Sequence, residues 1–591
     1  MKWVEWNKKM EKVKSKKQSF MAGVFTIMVA QVLVKLLGFV YRHVLTVIPE
    51  FGDEGNGIYG IGFNIYMLLL TVTTVGVPGA ISKLVSGKVA RGQIKEAKRI
   101  FRVALGLFSI VGIIGTLIMI VCAKPMASLA GNDSASGVLL ALAPSVIFVS
   151  IAAVIRGYFN GMYNMKPSSF NQTLEQIFKA GLTILFVYGI HYIYTNQAEL
   201  ALEYGINKDT ITAIMAVWAN IASTISCAIG LAYLFIYYQL HKNDINELKD
   251  GDQDPITNED EIVNAQGSIR RIVKMILSLS IPMSLASIVS AINRNIDSFT
   301  VNNILQQVLP IMNPEKFANN SSLIVAEATR LYGILAGKVD MLIGLPLSIN
   351  IAFATALVPA VTEAIAKDDK ALASKRISYS IRLSMIIALP CSLGLCVLAK
   401  PVLELLFHGQ VATSPESVLL LQISSFTILF TVMNQTINAS LQGIGRMFIP
   451  ACALCVGVII KLLLNLILIR IPAINVYGAA VGSVVCHFIA TLIVTHVLRK
   501  SIKLETNFKD VVLKPLLSVL LMAGITSGFY ALMINIIGYE SRIITIASLG
   551  VAVITYALAI VILKVLSKED YLLLPAGDKI YKILCKLKLA K

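Results

Sequence analysis

The chain has 591 residues, of which 56% are hydrophobic and only 15% are charged, and its formal net charge is +18. A soluble protein of this length needs far more polar surface to cover its domains, so the composition places the chain in the membrane class. It disfavours a cytosolic enzyme, a nucleic-acid-binding protein and a disulfide-bonded scaffold. The eight cysteines lie within or beside apolar runs, where cysteine behaves as a small buried hydrophobe.

Apolar stretches of about 20 residues, long enough to cross the hydrocarbon core of a bilayer as helices, recur along nearly the whole chain. They predict an all-α, multi-pass membrane protein with about fourteen transmembrane helices. In chain order the predicted spans lie near residues 20–48, 58–85, 99–123, 136–158, 169–195, 210–239, 272–304, 331–365, 376–399, 415–442, 446–470, 476–498, 511–537 and 541–566.

Basic residues are concentrated at both ends of the chain, in segments 1–19 and 567–591, and in the loops after the second, eighth and twelfth predicted spans. Lysine and arginine in short loops stay on the cytoplasmic side of a membrane. An even number of spans puts all of these clusters on one side, so we predict that both termini are cytoplasmic. Segment 1–19 fits a basic helix lying at the membrane surface and a charged topological flank equally well.

The chain is predicted to contain two related halves. Segment 240–270 is polar and strongly acidic, and we interpret it as a cytoplasmic linker between an N-lobe at 20–239 and a C-lobe at 271–499, with two further helices at 511–566. Three short motifs recur in the second half in the same order and at a nearly constant offset, as expected for the structural repeats of secondary transporters. The pairs are Tyr59-Gly60 with Tyr332-Gly333, Val77-Pro78 with Val358-Pro359, and Gly161 and Pro167 with Gly443 and Pro450.

Ionisable side chains at membrane depth cost free energy, so each is a candidate for a functional site. Lys35 and Arg42 lie seven residues apart on the first predicted span, which places both on one helix face, and no acidic residue shares that helix. The pattern predicts a cationic stripe that lines a cavity. The alternative is that Arg42 extends to the interface and Lys35 pairs with another side chain inside the protein.

The seventh and eighth predicted spans also carry charges. Arg294 and Asp297 lie three residues apart and can pair on one helix face, either structurally or as part of a binding site. Lys338 and Asp340 point to opposite sides of a regular helix, roughly 200° apart. The glycines and the proline around them, however, favour a bent helix with both faces buried.

The fifth predicted span contains Glu175 and Lys179 four residues apart, a spacing that favours a structural ion pair. Elsewhere the sequence lacks the phosphate-binding loop of ATPases and the H-E-x-x-H motif of metalloproteases, and its six histidines are scattered. We therefore expect no catalytic residues, no metal site and no cofactor.

One motif is specific enough to indicate a family. The run Ile155-Arg156-Gly157-Tyr158-Phe159-Asn160-Gly161-Met162, followed by Met165-Lys166-Pro167 and Leu174-Glu175-Gln176-Ile177, resembles the lipid-linked oligosaccharide exporters of the multidrug/oligosaccharidyl-lipid/polysaccharide superfamily. The chain is similar to the stage V sporulation protein B branch and to the lipid II flippases of the mouse virulence factor family. Supporting motifs are Val34-Lys35-Leu36-Leu37-Gly38-Phe39 with Arg42, and Leu331-Tyr332-Gly333 leading to Leu345-Pro346.

The resemblance implies two six-helix lobes, a cationic central cavity for a lipid pyrophosphate, and a groove for the polyprenyl tail between the last two helices. It also implies a location in the cytoplasmic membrane of a bacterium and export of a lipid-linked oligosaccharide precursor, for which we expect lipid II, by alternating access. Sodium or protons are the coupling ions to consider, and nucleic acid is not an expected partner. The residues assigned to substrate binding are Lys35, Arg42, Arg294, Asp297, Lys338 and Asp340, and those assigned a structural or gating role are Arg156, Glu175 and Lys179.

Two other functions remain open at this point. A drug or cation antiporter of the multidrug and toxin extrusion type has a related architecture, but it should show about twelve spans and an acid-dominated cavity, unlike the cationic first and eighth spans here. A membrane scaffold that recruits cell-envelope enzymes would need no cargo site at all.

Overall fold

The computed structural model describes residues 20–241, 269–317, 320–407, 414–504, 509–537 and 542–566. The predicted surface segment 1–19, nearly all of the predicted linker 240–270 and the predicted basic tail 567–591 lie outside the described residues. Within those ranges every regular element is a helix, which confirms the all-α fold.

By compactness the chain divides into two units, Met1–Phe299 and Thr300–Lys591. The described part of unit 1 contains nine complete helices and the beginning of a tenth, α10, which continues into unit 2. They are α1 (Phe20–Val47), α2 (Gly52–Thr74), α3 (Val77–Ala90), α4 (Ile94–Leu129), α5 (Ala135–Leu142), α6 (Ser145–Gly161), α7 (Lys166–Asn196), α8 (Ala198–Glu203), α9 (Ile211–Leu240) and α10 (Ile269–Met312).

The described part of unit 2 continues with α-helices and two short π-helical segments. The α-helices are α11 (Pro314–Phe317), α12 (Ser321–Gly333), α13 (Asp340–Ala366), α14 (Lys370–Val397), α15 (Ala399–Leu406), α16 (Pro415–Gly443), α17 (Ile449–Leu468), α18 (Tyr477–Ser501), α19 (Lys514–Ile537) and α20 (Arg542–Ile562). The π-helical segments are Ile334–Val339, between α12 and α13, and Lys509–Leu513, before α19.

Each predicted span coincides with one helix or with two or three consecutive helical segments. Among the described residues, 12 spans are long and apolar enough to cross a membrane, and 13 if α5 and α6, bent by 41° at their junction, form one span. The protein is thus a multi-pass membrane protein, and the predicted number of fourteen is approximate. The remaining predicted span corresponds to α1, whose 28 residues make it about 40 Å long, more than the thickness of the hydrocarbon core.

The glycines of the family motif allow α6 to approach α3 closely. A Cβ atom at Gly157 would lie 2.9 Å from the Pro78 carbonyl oxygen, and one at Gly161 would lie 2.7 Å from Cβ of Val85. In unit 2, a Cβ atom at Gly443 of α16 would lie 2.7 Å from Cβ of Val361 on α13. The two halves therefore use the same kind of glycine contact between corresponding helices, as the internal repeat predicts.

The boundary between the two units falls inside α10, whereas the sequence placed it in segment 240–270. The first part of α10 belongs to unit 1 because its apolar and small residues pack there. Ile272 and Ile276 join the apolar cluster built around Phe101 and Tyr158. The Gly76 amide, at the break between α2 and α3, donates a hydrogen bond of 2.9 Å to the Ser284 hydroxyl.

Candidate functional site

Unit 1 contains a cluster of cations and aromatic rings formed by α1, α2 and α7. We call Tyr41, Arg42, Tyr59, Phe63 and Lys179 the cation–aromatic cluster. The Arg42 guanidinium carbon lies 5.0 Å from the centroid of the Tyr59 ring. The Tyr41 and Tyr59 hydroxyls are 3.4 Å apart and share a hydrogen bond, and the Tyr59 and Phe63 rings stack with centroids 5.5 Å apart.

Lys179 is the second cation of this cluster. Its ammonium nitrogen lies 4.5 Å from the centroid of Phe63, 5.5 Å from that of Tyr41 and 5.9 Å from that of Tyr59. All three distances are within the range of about 6 Å over which a ring attracts a cation. The helix spacing alone did not reveal these partners, because they come from two other helices.

The predicted ion pair between Glu175 and Lys179 is wrong. An oxygen of the Glu175 carboxylate lies 3.7 Å from a guanidinium nitrogen of Arg156 on α6, and both side chains are largely buried. Gly230 of α9 is the reason that Glu175 can lie there, because a Cβ atom at this position would clash with Cγ and a carboxylate oxygen of Glu175. The acid of α7 is thus directed away from Lys179, and Arg156 of the family motif has its partner.

Lys35 and Arg294 are predicted substrate-binding residues on two different helices, α1 and α10, and both lie in the same part of unit 1. Lys35 is exposed, and the groups whose charges act on it are Arg294, Tyr41 and Arg42. Arg294 is exposed and Asp297 is half-buried on the continuous helix α10. Arg42 and Arg294 are thus near enough to Lys35 to act on its charge, and the predicted role of these three residues in substrate binding stays a prediction.

Two asparagines that the sequence analysis missed position α10 beside α2. The Asn295 side-chain amide donates to the Asn64 carbonyl oxygen at 2.9 Å, and the Asn64 side-chain amide donates to the Ser298 hydroxyl at 3.1 Å. Asn295 directly follows Arg294 in the sequence, and Ser298 directly follows Asp297. The available signal in the sequence was that Asn295 and Ser298 lie three residues apart, on one face of a span. Polar side chains in such a position can form hydrogen bonds to a neighbouring span.

The candidates of the eighth predicted span lie in unit 2, where the chain is π-helical. Lys338 belongs to the π-helix Ile334–Val339 and is 0% exposed, and its ammonium nitrogen lies 5.6 Å from the centroid of the Phe407 ring. Asp340 begins α13 and is exposed. The expectation that both faces of this helix are buried is therefore wrong, because a two-residue step still places the side chains on nearly opposite sides. Short π-helical turns are frequent at functional sites.

Within the described ranges no group of three or more histidine, cysteine, aspartate or glutamate side chains is arranged to hold a metal ion. The cation–aromatic cluster of unit 1 presents fixed cations beside aromatic rings. Such an arrangement suits an anionic group that must leave water, since charge-assisted hydrogen bonds can replace its hydration.

Comparison with known families agrees with the resemblance seen in the sequence. The family described as polysaccharide biosynthesis protein matches residues 20–365, and the family described as MatE matches residues 334–467. The stage V sporulation protein B of Bacillus subtilis (strain 168) is 24% identical over 572 residues, which cover 95% of this chain and 98% of that protein. The lipid II flippase MurJ of the same organism is 24% identical over 462 residues, covering 76% of this chain and 77% of the relative.

Solved structures show the same fold. The lipid II flippase MurJ in an inward closed conformation superimposes with a TM-score of 0.60 at 16% identity, covering 90% of this chain and 97% of that one. An inward-facing multidrug resistance transporter of the MATE family, from the MOP superfamily, superimposes with a TM-score of 0.57 at 15% identity, covering 81% of this chain and 97% of its own. The predicted resemblance to the exporters of this superfamily is confirmed.

Proposed function

The chain belongs to the polysaccharide biosynthesis protein family, and from this membership we propose that it is a flippase for a polyprenyl-pyrophosphate-linked precursor, with lipid II as its cargo. One relative and one structural neighbour are lipid II flippases and another neighbour is a multidrug transporter, which supports the coarser function of moving a lipid-linked saccharide precursor within the membrane. That the cargo is lipid II, and not another lipid-linked precursor, is our proposal.

The observation that carries the proposal is the gathering of cations in unit 1. Lys35, Arg42 and Lys179 come from two different helices, and the charge of Arg294 acts on Lys35 from a third. A pyrophosphate cannot cross hydrocarbon bare, because an isolated ion loses its hydration at a large cost. Fixed cationic side chains can replace that hydration through charge-assisted hydrogen bonds while the cargo changes sides.

The proposed mechanism is alternating access in a protein with both termini in the cytoplasm. The membrane potential can bias such a cycle, since each elementary charge moved across it is worth about 2.3 kcal/mol per 100 mV. We further propose coupling to a sodium or proton gradient. Transport can be measured in proteoliposomes with only a sodium gradient, only a proton gradient or only a membrane potential imposed. The gradient that increases the transport rate identifies the driving force.

A cation antiporter is the second candidate, because the MatE family matches residues 334–467 and MATE transporters share the fold. The charges in unit 1 argue against it. Glu175 is already paired with Arg156, and a cationic drug would meet Arg42 and Lys179 next to it. A cluster of fixed cations repels a cationic cargo and so disfavours it.

The experiment that tests the proposal has a cellular part and a reconstituted part. Depletion of the protein should make one lipid-linked precursor accumulate on the cytoplasmic leaflet, and its chemical identification names the cargo. Purified protein in proteoliposomes should then move that precursor between leaflets, and a protein carrying Arg42→Ala should not. Accumulation of no precursor, together with transport of a cationic dye, would replace this proposal with the antiporter. Precursor binding without movement would favour the scaffold.

A further inference from the structure

The first turns of α4 carry a stripe of basic side chains. The members of the stripe are spaced by three, one and three residues, which places them on one face of the helix. They are Lys95, Lys98, Arg99 and Arg102. The other side of the helix packs into the apolar cluster of unit 1 through Ala97, Phe101 and Ala104. Residues 103–123 of α4 contain no ionisable side chain and are long enough to cross the hydrocarbon core, so the stripe lies outside the apolar part of this span.

Together with the neighbouring part of α3, the stripe gives this end of unit 1 a surplus of positive charge. Residues 83–102 include seven basic residues, four exposed and three half-buried, and a single acidic residue, Glu96. A carboxylate oxygen of Glu96 lies 3.9 Å from a guanidinium nitrogen of Arg99. Such a concentration of like charges repels itself unless negative groups lie nearby. We call the seven basic residues the α3–α4 basic face; they are Lys83, Lys88, Arg91, Lys95, Lys98, Arg99 and Arg102.

The corresponding part of unit 2, where α13 is followed by α14, has a different balance of charge. Residues 363–383 include five basic and three acidic residues. Glu363 accepts a hydrogen bond of 2.7 Å from Lys367, and its other carboxylate oxygen lies 3.3 Å from a guanidinium nitrogen of Arg376. Unit 2 thus supplies counter-charges from the same stretch of chain. The α3–α4 basic face has only one acidic residue in its own stretch for seven cations, so its counter-charge has to come from elsewhere.

The acidic part of the chain begins and ends beside this face. Segment 242–268 contains eight acidic residues and two lysines, so its formal charge is −6, opposite to the +6 of residues 83–102. The segment follows α9, where the centroid of the Tyr238 ring lies 5.3 Å from that of Phe101 on α4. It precedes α10, whose Ile272 and Ile276 are buried in the same apolar cluster as Phe101. Both points of attachment therefore lie in unit 1, next to α4.

Attachment at both ends makes even a weak contact sufficient. The 27 residues of segment 242–268 can extend to about 90 Å, whereas the stripe on α4 is only about 10 Å long. A partner on the same chain is present at an effective concentration of the order of millimolar. Exposed ion pairs too weak to hold a free acidic peptide can therefore hold this segment.

We propose that segment 242–268 binds the α3–α4 basic face and supplies its counter-charge. The contact is electrostatic, because the acidic residues of the segment are concentrated in two short clusters, at 250–254 and 259–261. It accounts for the strongly acidic composition of a loop that the predicted topology places in the cytoplasm. The inference goes beyond the proposed function and holds whatever the cargo is.

The test measures a distance by double electron–electron resonance in the purified full-length protein, in a background without the native cysteines. One spin label is attached at Gly87→Cys, an exposed position on α3 where an added Cβ atom meets no described atom within 4 Å. The other is attached at Gln253→Cys, an uncharged position within the acidic segment. We expect a short, narrow distance distribution at about 0.15 M salt. At about 1 M salt it should broaden towards longer distances, because the Debye length falls from about 8 to about 3 Å. A broad distribution at both salt concentrations would overturn the inference.

A charge-removing variant of the basic face tests which residues form the contact. Lys83→Gln, Lys95→Gln and Arg102→Gln together change three exposed side chains. We expect them to lower the ratio of short to long distances by about tenfold, the combined effect of three solvent-exposed ion pairs.

The matched control removes the same amount of charge from the corresponding part of unit 2. It combines Lys367→Gln, Lys370→Gln and Lys375→Gln, which also change exposed side chains. The ratio of short to long distances should stay as in the unchanged protein. An equal fall in both sets would overturn the inference, because the net charge of the protein and not the α3–α4 basic face would then control the distance.

Two rival contacts give different results in the same experiment. If anionic lipid headgroups occupy the basic face, the short distance will be present in phosphatidylcholine nanodiscs and lost in phosphatidylglycerol nanodiscs. If the basic segment 1–19 holds the acidic segment, a label at Ser15→Cys will lie close to the label at Gln253→Cys, and the label at Gly87→Cys will not. Either result would overturn the inference. A short distance between Gly87→Cys and Gln253→Cys in both kinds of nanodisc would support it.

Discussion

The ion pair between Arg156 and Glu175 allows a quantitative prediction of how burial affects the free energy of unfolding. Their charged atoms are 3.7 Å apart, and the side chains are 14% and 19% exposed. At an effective dielectric constant of about 20, two charges at this separation attract by roughly 4 kcal/mol. Glu175→Gln removes this attraction and leaves a largely buried guanidinium without its counter-charge. We expect the free energy of unfolding to fall by about 3 kcal/mol.

The pair Lys400 and Glu404 on α15 is the matched control, because its charged atoms are also 3.7 Å apart. Its side chains are 50% and 28% exposed, and water screens such a pair. Glu404→Gln should therefore cost at most about 0.5 kcal/mol. The charged atoms are equally far apart in both pairs, so the comparison tests the effect of burial at a fixed distance.

The assay is reversible unfolding in mixed detergent micelles, followed by circular dichroism for the wild-type protein and both variants. A third variant, with Arg156→Met and Glu175→Leu together, replaces the buried pair by apolar side chains and should recover most of the lost stability. Equal losses for Glu175→Gln and Glu404→Gln would refute the reasoning, because distance and not burial would then decide the strength of these pairs. A double variant no more stable than Glu175→Gln would also contradict it.

Three further predictions concern the site and the topology. Arg42→Ala should abolish precursor transport in proteoliposomes with folding intact, whereas Arg42→Lys should retain only part of it because lysine lacks the planar, bidentate guanidinium. Arg294→Ala combined with Asp297→Ala should recover the expression that either single change lowers, but not transport; full transport by the double variant would exclude Arg294 from cargo binding. In a background without the native cysteines, Tyr204→Cys should react with an impermeant thiol reagent added outside intact cells and Lys370→Cys should not, and the opposite labelling would invert the predicted orientation.

For the last two helices, composition alone predicted the membrane spans but not the helices against which they pack. Their apolar runs predicted two spans at 511–537 and 541–566, and the structure has α19 and α20 there. Only the structure shows that these helices are attached to unit 2, where the Tyr556 hydroxyl donates a hydrogen bond of 2.7 Å to the Ile386 carbonyl oxygen of α14. Their predicted role as a groove for a polyprenyl tail stays a prediction.

The amino-acid sequence by itself determined the helices, their approximate number, the internal repeat and the family. These properties depend on sums over about 20 consecutive residues or on local motifs, because a span in a bilayer must be apolar along its whole length and must satisfy its own backbone hydrogen bonds. Such requirements act on each helix separately. They can therefore be evaluated without knowing which helices are neighbours.

The tertiary structure alone decided which side chains are partners. Spacing along α7 favoured a pair between Glu175 and Lys179, but Gly230 of α9 makes room that directs the acid to Arg156. The rings that hold Lys179 come from α1 and α2, so no pattern within α7 could have predicted them. The weak pairing energy of neighbours on one helix, about 0.2 to 0.5 kcal/mol, is smaller than the interactions a charge makes when packing removes it from water.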